Sequence, residues 1–542
     1  MPTLDWIGKK AVVNHHNQVP FHLLREEAEL SAGEPGSGNL LVEGDNLVAL
    51  KALLPYYAGQ AKCIYIDPPY NTGNENWVYN DNVNSPEIRK WLGKVVGGEM
   101  EDLSRHDKWL CMMYPRLCLL REFLREDGVI FISIADHEAP NLRLVMDEIF
   151  GPRNFIATVI WQKVYAPKST AKHFSEDHDY IVAYGKNAEA WRPNLIQRTD
   201  KQDARYKNPD NDPRGPWKTS DLSARNPYGA GIYAITGPTG RVLSAPPKGR
   251  YWQVSQEKFH DMDKDNRIWW GKQGNSIPQI KRFLSEVRQG RVPQTLWPYT
   301  EVGHTQEAKK EVLSICDFED SASVFITPKP LRLLQRILQI GTDKDSLVLD
   351  SFAGSGTTGH AVLAANRADG GNRRCILIEM ESDVCRNVTA QRLGRAVLGY
   401  ETKNENNRKT VEGLGGGFRY CRLGSPLFDE QGNIAPQVSF DDLAAHVFFT
   451  ETGQPLPAQP EGMRSSPLLG VHNGVGVYLL FNGILGDRKA SGGNILTGTL
   501  LANLPAHDGP KVIYGEGCRL GSERLRREGI TFKQIPYGIR VR

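Results

Sequence analysis

Apolar residues along the chain fall first into short runs. Leu40–Val42, Cys63–Ile66 and Val129–Ile134 are such runs, and between them Asn46–Leu54 and Trp109–Leu124 carry apolar positions at helical spacing. That alternation predicts an α/β fold, a doubly wound, mostly parallel sheet covered by helices. It continues through Phe155–Trp161 and Tyr180–Tyr184 and then stops. After Lys186 the chain reads NPDNDPRGPW, ARNPYGAG and SAPPKGR, rich in Pro, Gly and Arg, with no long periodic helix before about Ile280. The rhythm resumes with a predicted helix over Lys329–Ile340, a strand over Ser346–Asp350, a glycine-rich turn, a helix from His360 and a strand over Cys375–Glu379. Two halves of one sheet therefore flank an insertion.

The same breaks predict the domain organisation. Residues 1–39, ending in SAGEPGSGN, read as an N-terminal arm, 40–185 as one half of the sheet, 186–320 as the inserted domain and 321–400 as the other half. ETKNENNRKT, from Glu401, reads as a polar linker into a C-terminal α+β domain within 401–542. A chain of 542 residues is too long for one core, which agrees with several parts.

Composition narrows the picture only in places. With 40% hydrophobic and 24% charged residues the chain has the balance of a soluble globular protein. MPTLDWIGKK holds no apolar signal core and no stretch approaches ~18 apolar residues, so no membrane association and a cytoplasmic location are expected. The eight cysteines are scattered without a C-x-x-C, which predicts neither a metal site nor a disulfide framework. Net charge is only +3, yet Lys201–Thr300 carries 17 Lys/Arg against 9 Asp/Glu. A local excess of positive charge on the insertion points to a polyanion. Five of the eleven tryptophans lie in the same stretch, interleaved with Arg250, Arg267 and Lys272, which suits base stacking as well as a small core.

Two motifs carry chemistry. In LVLDSFAGSGTTGHAVLAA, Gly354, Gly356 and Gly359 have G-x-G-x-x-G spacing between a strand and a helix, where glycine lets the backbone approach a ligand and helix N–H groups face it. Glu379 ends the next strand, where an acid can accept ribose hydroxyls. A nucleoside cofactor follows, either a dinucleotide or S-adenosylmethionine. In CIYIDPPYNTGNENW, the Asp67 carboxylate and the Pro68 carbonyl, held by the φ-locked Pro68 and Pro69, can accept the two N–H bonds of an exocyclic amine while Tyr70 stacks on its ring. NTGNENW then reads as a loop over them. Both motifs end predicted parallel strands, so if those strands are neighbours the motifs open into one crevice.

DPPY followed far downstream by DSFAGSGTT resembles the β class of amino-methylating DNA methyltransferases. DPPYNTGNE, DKWLCMMYPRL, DGVIFISIADHE, NFIATVIWQK and FSEDHDYIVAYGK resemble, more narrowly, the modification (Mod) subunits of type III restriction systems, over about Leu40–Leu398. The resemblance implies a class I S-adenosylmethionine-dependent methyltransferase fold in circularly permuted order, with S-adenosylmethionine as cofactor and the insertion as target-recognition domain. Asp67, Pro68, Pro69 and Tyr70 match the catalytic motif. Asp350, Phe352, Gly354, Gly356 and Thr357 match the cofactor turn, and Glu379 the ribose acid. Asp45 matches an acid near the cofactor's adenine, and Lys329 a lysine near its methionine end. Ser351 departs from the family's usual proline. The implied activity is methylation of adenine N6 in double-stranded DNA, with cytosine N4 as the alternative and an inactive DNA-binding specificity subunit as a different class. The implied partners are a restriction or helicase subunit and a second copy of the chain.

Blander readings stand beside these. Asp45 can cap the helix that follows it, Lys329 can be a solvated helix-start residue, and Asp136, His137 and Glu138 read as a strand-end loop and helix cap.

Overall fold

A computed structural model of the chain describes residues 4–72, 86–96, 104–288, 290–318, 327–402, 409–429, 433–457, 466–484 and 491–536, with 431, 486, 487 and 489. Eleven strands make the main sheet: β1 His22–Glu26, β2 Ala32–Gly33, β3 Leu40–Glu43, β4 Ala61–Ile66, β5 Leu124–Ile134, β6 Phe155–Gln162, β7 His178–Gly185, β8 Leu296–Trp297, β9 Leu347–Asp350, β10 Arg374–Glu379 and β11 Gly417–Pro426. Their order is β1-β11-β3-β10-β9-β4-β5-β7-β6-β8, with β2 also on β11. From β11 to β5 every pair is parallel. β9, late in the chain, thus stands at the centre beside the early β4, which is the permuted order expected.

The helices that cover this sheet include α1 Asn46–Tyr57, α2 Arg105–Phe123, α3 Ala139–Phe150, α4 Leu331–Gly341 and α5 Thr357–Asp369. The apolar runs of the central strands are buried on both faces, Ile64, Ile130, Leu349 and Ile376 on one and Leu41, Tyr65, Val348 and Leu377 on the other. α2 is held at its start by a capping box between Ser104 and Asp107.

Three features depart from the sequence expectation. β7 runs antiparallel to both β5 and β6, because the loop between β6 and β7 carries no crossover helix to turn the chain back into a parallel strand. Residues 1–39 are more than an arm: Trp6, Val12 and Val19 are buried in the main core, and β1 and β2 pair with β11. β11 itself, past the expected linker, is a strand of the main sheet, paired with β3. Residues 403–408 of that linker lie outside the described residues. Beyond it, helix Phe440–Thr452 and strands Leu468–His472, Val475–Leu479, Lys511–Gly515 and Ile530–Gln534 form the α+β part.

Residues 195–293 form a second compact unit, narrower than 186–320 because β8 pairs with β6 and joins the first unit. Strands Ile268–Trp269, Gln279–Phe283 and Trp217–Asp221 make its antiparallel sheet. Trp252 and Trp270 lie in its core with Phe259, Ile268 and Ile280, and Trp217 is buried against Trp269. These tryptophans are structural rather than a stacking platform. Arg214, Arg267 and Lys281 are paired with acids, whereas Arg225, Arg241, Lys248 and Lys272 are exposed. Among the described residues, no helix is long and apolar enough to cross a membrane.

Candidate active site

The glycine turn follows β9 directly. Gly354 (φ +51°) and Gly356 (φ +75°) occupy the left-handed region, and Gly356 is the N-cap of α5. A Cβ on Gly356 would stand 3.0 Å from Thr389 Cγ2, and one on Gly359 would overlap Leu377 and Leu393 at 2.7 Å. The turn is braced by two acids. Glu379, at the end of β10, accepts from the Gly354 N–H at 2.8 Å and the Glu381 N–H at 2.9 Å. Asp350 accepts from the Phe352 N–H at 3.0 Å and from the Thr358 hydroxyl. Burial pushes the Asp350 carboxyl up to about 7, against the pull of those two hydrogen bonds. The Thr357 hydroxyl donates to the Lys329 carbonyl at 3.2 Å and accepts from Arg392 Nη1 at 2.8 Å.

β4 lies next to β9 in parallel, with Leu349 opposite Ile64, so Asp67 emerges at the edge where the glycine turn begins. The Asp67 carboxylate is ion-paired with the Lys329 ammonium, which stands 5.2 Å from the centre of the Tyr70 ring. The other carboxylate oxygen, Oδ1, and the Tyr70 hydroxyl are both buried; the hydroxyl lies close enough to stabilise the Asp67 carboxylate, but neither atom makes a hydrogen bond of good geometry. Such groups are costly unless a ligand satisfies them. Burial raises the Asp67 pKa above the usual carboxylate range, Lys329 and the Tyr70 hydroxyl draw it back, and Asp179 pushes it up again. Trp109 Nε1 donates to the Pro69 carbonyl at 2.7 Å and so fixes the diproline.

The residue after Tyr70 is held by an acid that the sequence reading assigned to a helix cap. Asn71 (φ +55°) donates from Nδ2 to Glu138 Oε1 and, at 3.2 Å, to the Arg105 carbonyl. His106 Nδ1 lies 2.6 Å from the same Oε1, and Asn141 donates to Oε2 at 2.8 Å. Glu138 is fully buried and makes no side-chain cap bond to α3; it clamps the catalytic loop to α2 instead. Gly73–Trp77 of the expected covering loop lie outside the described residues.

Of the sequence-predicted residues, Asp67, Lys329, Asp350, Phe352, Gly354 and Thr357 line one cleft. Lys329 is buried ahead of α4, so it is not a solvated helix-start residue. Asp45 is committed to the protein. Its Oδ1 accepts from the Leu47 and Val48 N–H groups at 2.9 and 3.1 Å, and its Oδ2 accepts from Arg116 Nη2 at 3.0 Å. Its neighbour Asn46 donates to the Ser351 carbonyl at 3.0 Å, tying the start of α1 to the glycine turn. Ser351, at the position where the family usually has proline, keeps a buried hydroxyl without a hydrogen-bond partner. Sequence reasoning did not single out Arg392, and it named Glu138 only as part of a loop and helix cap; both prove to be buried. Among the described residues no group of His, Cys, Asp and Glu could hold a metal ion. The positive-φ glycines, the acid behind them and the buried Asp67 oxygen fit a nucleoside cofactor whose reactive end meets an amine.

The DNA methylase family model matches residues 61–411. The type III restriction-modification enzyme StyLTI Mod subunit of Salmonella typhimurium is 33% identical over 479 residues, 83% of this chain and 70% of that subunit. The EcoPI Mod subunit of Escherichia phage P1 is 33% identical over 438 residues, covering 72% and 65%. The type II methyltransferase M.KpnI of Klebsiella pneumoniae is 31% identical over 371 residues, covering 65% and 82%. The chain thus spans roughly two thirds of the length of the Mod subunits it matches. A parallel sheet that brings DPPY and the glycine turn to one edge, and a family match across both, lead to one conclusion: the chain belongs to the DNA methylase family, among S-adenosylmethionine-dependent DNA methyltransferases of the type III Mod kind.

Proposed function

We propose that this chain methylates the N6 amine of an adenine flipped out of double-stranded DNA, as the modification subunit of a restriction-modification system. The observation that carries the reading is the buried Asp67 carboxylate, whose Oδ1 makes no hydrogen bond of good geometry, one residue past β4 and at the same sheet edge as the glycine turn after β9. The cofactor supplies a methyl group activated by its sulfonium. Glu379 and the turn Asp350–Thr357 would hold its nucleoside, and Lys329, paired with Asp67 in the cleft lining, would meet its carboxylate. Asp67 Oδ1 and the Pro68 carbonyl accept the two amine N–H bonds, which localises the nitrogen lone pair, and Tyr70 stacks on the base. The nitrogen–carbon bond forms as the carbon–sulfur bond breaks, its electron pair stays on sulfur, and the nitrogen loses one proton. Asp67, with its raised pKa, is positioned to take that proton.

Residues 195–293, with exposed Arg225, Arg241, Lys248 and Lys272, serve target recognition, in keeping with the local excess of positive charge. The C-terminal α+β part contacts a restriction subunit, the chain acts as a dimer, and the work is done in the cytoplasm; co-purification with and without that part, and sedimentation, test the first two. The central test is methylome sequencing of a host expressing the chain alone. N6-methyladenine at one recurrent sequence is expected. N4-methylcytosine as the product refutes the choice of base, and no methylation by an intact, cofactor-binding chain supports a specificity subunit instead.

A further inference from the structure

The hairpin that joins β6 to β7 rises from the sheet edge that carries Asp67. Ile66 of β4 pairs with Ile132 of β5, and Ile132 pairs with Val182 of β7. Because β7 is antiparallel, its first residues, His178 and Asp179, lie at the edge where β4 ends. Two interstrand spacings place β7 about 10 Å from β4.

The base of this hairpin is clamped. The Lys163 and Val164 N–H groups donate to the Asp177 carbonyl at 2.9 and 3.3 Å, and Lys163 Nζ pairs with Asp179 at 2.7 Å. Further out, the Lys168 N–H donates to Ser175 Oγ at 2.7 Å and the Ala171 N–H to the Lys168 carbonyl at 3.1 Å. Beyond these bonds stands Phe174, 92% exposed, more than any other large apolar side chain among the described residues. Lys168, Lys172 and His173 are exposed beside it; Val164–Phe174 contains no acid, and Glu176 and Asp177 follow on the returning arm.

A braced hairpin with a cationic tip, a bare Phe174 ring and a half-exposed Tyr165, rising from the sheet edge that carries Asp67, suits a nucleic acid better than a protein surface. A protein contact calls for a contiguous apolar patch, whereas a duplex offers phosphates to the cations and a stack to the ring. We infer that Phe174 is a wedge that enters the duplex as the target base leaves it, with Lys168 and Lys172 on the flanking phosphates. This rests on the base-flipping reading above. Extruding a base breaks a pair and two stacks, and a phenyl ring in the gap restores stacking to the neighbours left behind. Phe174 is a positioning residue, since it meets the base's neighbours and not the reacting atoms.

The test uses the full-length chain, Phe174→Ala and Phe174→Trp, on two duplexes built on the sequence that wild type methylates in plasmid DNA. One duplex is fully paired, and in the other the target base faces an abasic site. Phe174→Ala should slow methylation of the paired duplex by about 10-fold, within the roughly 5- to 150-fold span of one lost aromatic–base stack. It should be near wild type on the abasic duplex, where no pair has to be broken, and Phe174→Trp should restore the paired rate. 2-Aminopurine at the target position should brighten less with Phe174→Ala on the paired duplex only. Equal loss on both duplexes, no loss at all, or a change of oligomeric state in Phe174→Ala overturns the wedge. Failure of wild type to methylate any plasmid strikes the underlying reading, and the wedge with it.

Discussion

Replacing Lys329 by methionine keeps the length of the side chain and removes its charge, so the consequences fall on Asp67. Asp67 is held in a buried ion pair, with burial and Asp179 both opposing its ionised form. Removing one partner of a buried pair costs roughly 3–5 kcal/mol. The carboxyl can escape much of that cost by taking up a proton, and what it escapes in stability it loses in function, because a protonated Asp67 no longer offers a charged acceptor to the amine. At tenfold for each 1.36 kcal/mol, a drop of about 10²- to 10³-fold in kcat is expected near neutral pH.

The pH dependence separates this account from a general loss of fold. In Lys329→Met the Asp67 pKa moves further up, so the acid limb of the kcat profile shifts to higher pH and activity partly recovers as pH rises. Stability runs the other way. A carboxyl whose folded pKa is raised binds protons more tightly in the native state, so its contribution is present below the unfolded pKa of about 4 and is lost as pH climbs through the folded value. The variant's Tm should therefore fall over the range in which its activity rises. Single-turnover methylation across pH 6–9 with saturating cofactor, beside thermal melts in the same buffers, measures both. An equal loss of kcat at every pH, or a wild-type rate, refutes the role given to the ion pair.

Gly356→Val should weaken cofactor binding sharply in calorimetry, since a β-branched residue at φ +75° is strained and its Cβ meets Thr389 at 3.0 Å; unchanged affinity would separate the turn from the cofactor. Glu138→Ala removes the acceptor shared by Asn71 and His106; a loss of ~2 kcal/mol in stability is expected with a larger proportional fall in kcat than in cofactor affinity, and an unchanged kcat would show that the clamp does not serve catalysis. Asp350 ionises around pH 7 beside the cleft, so preference for the cationic cofactor over its uncharged thioether product should grow between pH 6 and 8, and Asp350→Asn should flatten that slope.

The parts legible in the sequence were those whose signal is local. β4 and β9 announce themselves as apolar runs ending in Asp67 and in the glycine turn, and the shared edge follows once the two strands are neighbours. Contacts between distant segments leave no such trace. Lys329 and Asp67 are 262 residues apart, and only resemblance brought Lys329 to notice. β1 pairs with β11 across some 400 residues, so His22–Glu26 looked like part of an arm. The tryptophans of residues 195–293 fit a core or a stacking surface equally well by composition, and burial decides for the core.

Lys329 is the point at which the two halves of this site become one device. Its carbonyl accepts from Thr357 in the glycine turn, and its ammonium sits on Asp67 and over Tyr70. The backbone that shapes the cofactor end and the charge that governs the catalytic carboxylate therefore belong to a single buried residue. Among the described residues, Asp67, Asp350 and Lys329 are the charged groups in the cleft lining, with Asp179, paired to Lys163, acting on Asp67 from β7 and Arg392 bonded to Ser355 and Thr357 behind it. A sulfonium entering beside Asp67 and Asp350 would be stabilised by carboxylates whose ionised forms are otherwise penalised by burial. Methyl transfer removes the sulfonium charge and the source of that stabilisation with it. The electrostatics that draw the cofactor in are thus the same that weaken the hold on its product, and Lys329 sets how far Asp67 can contribute to them.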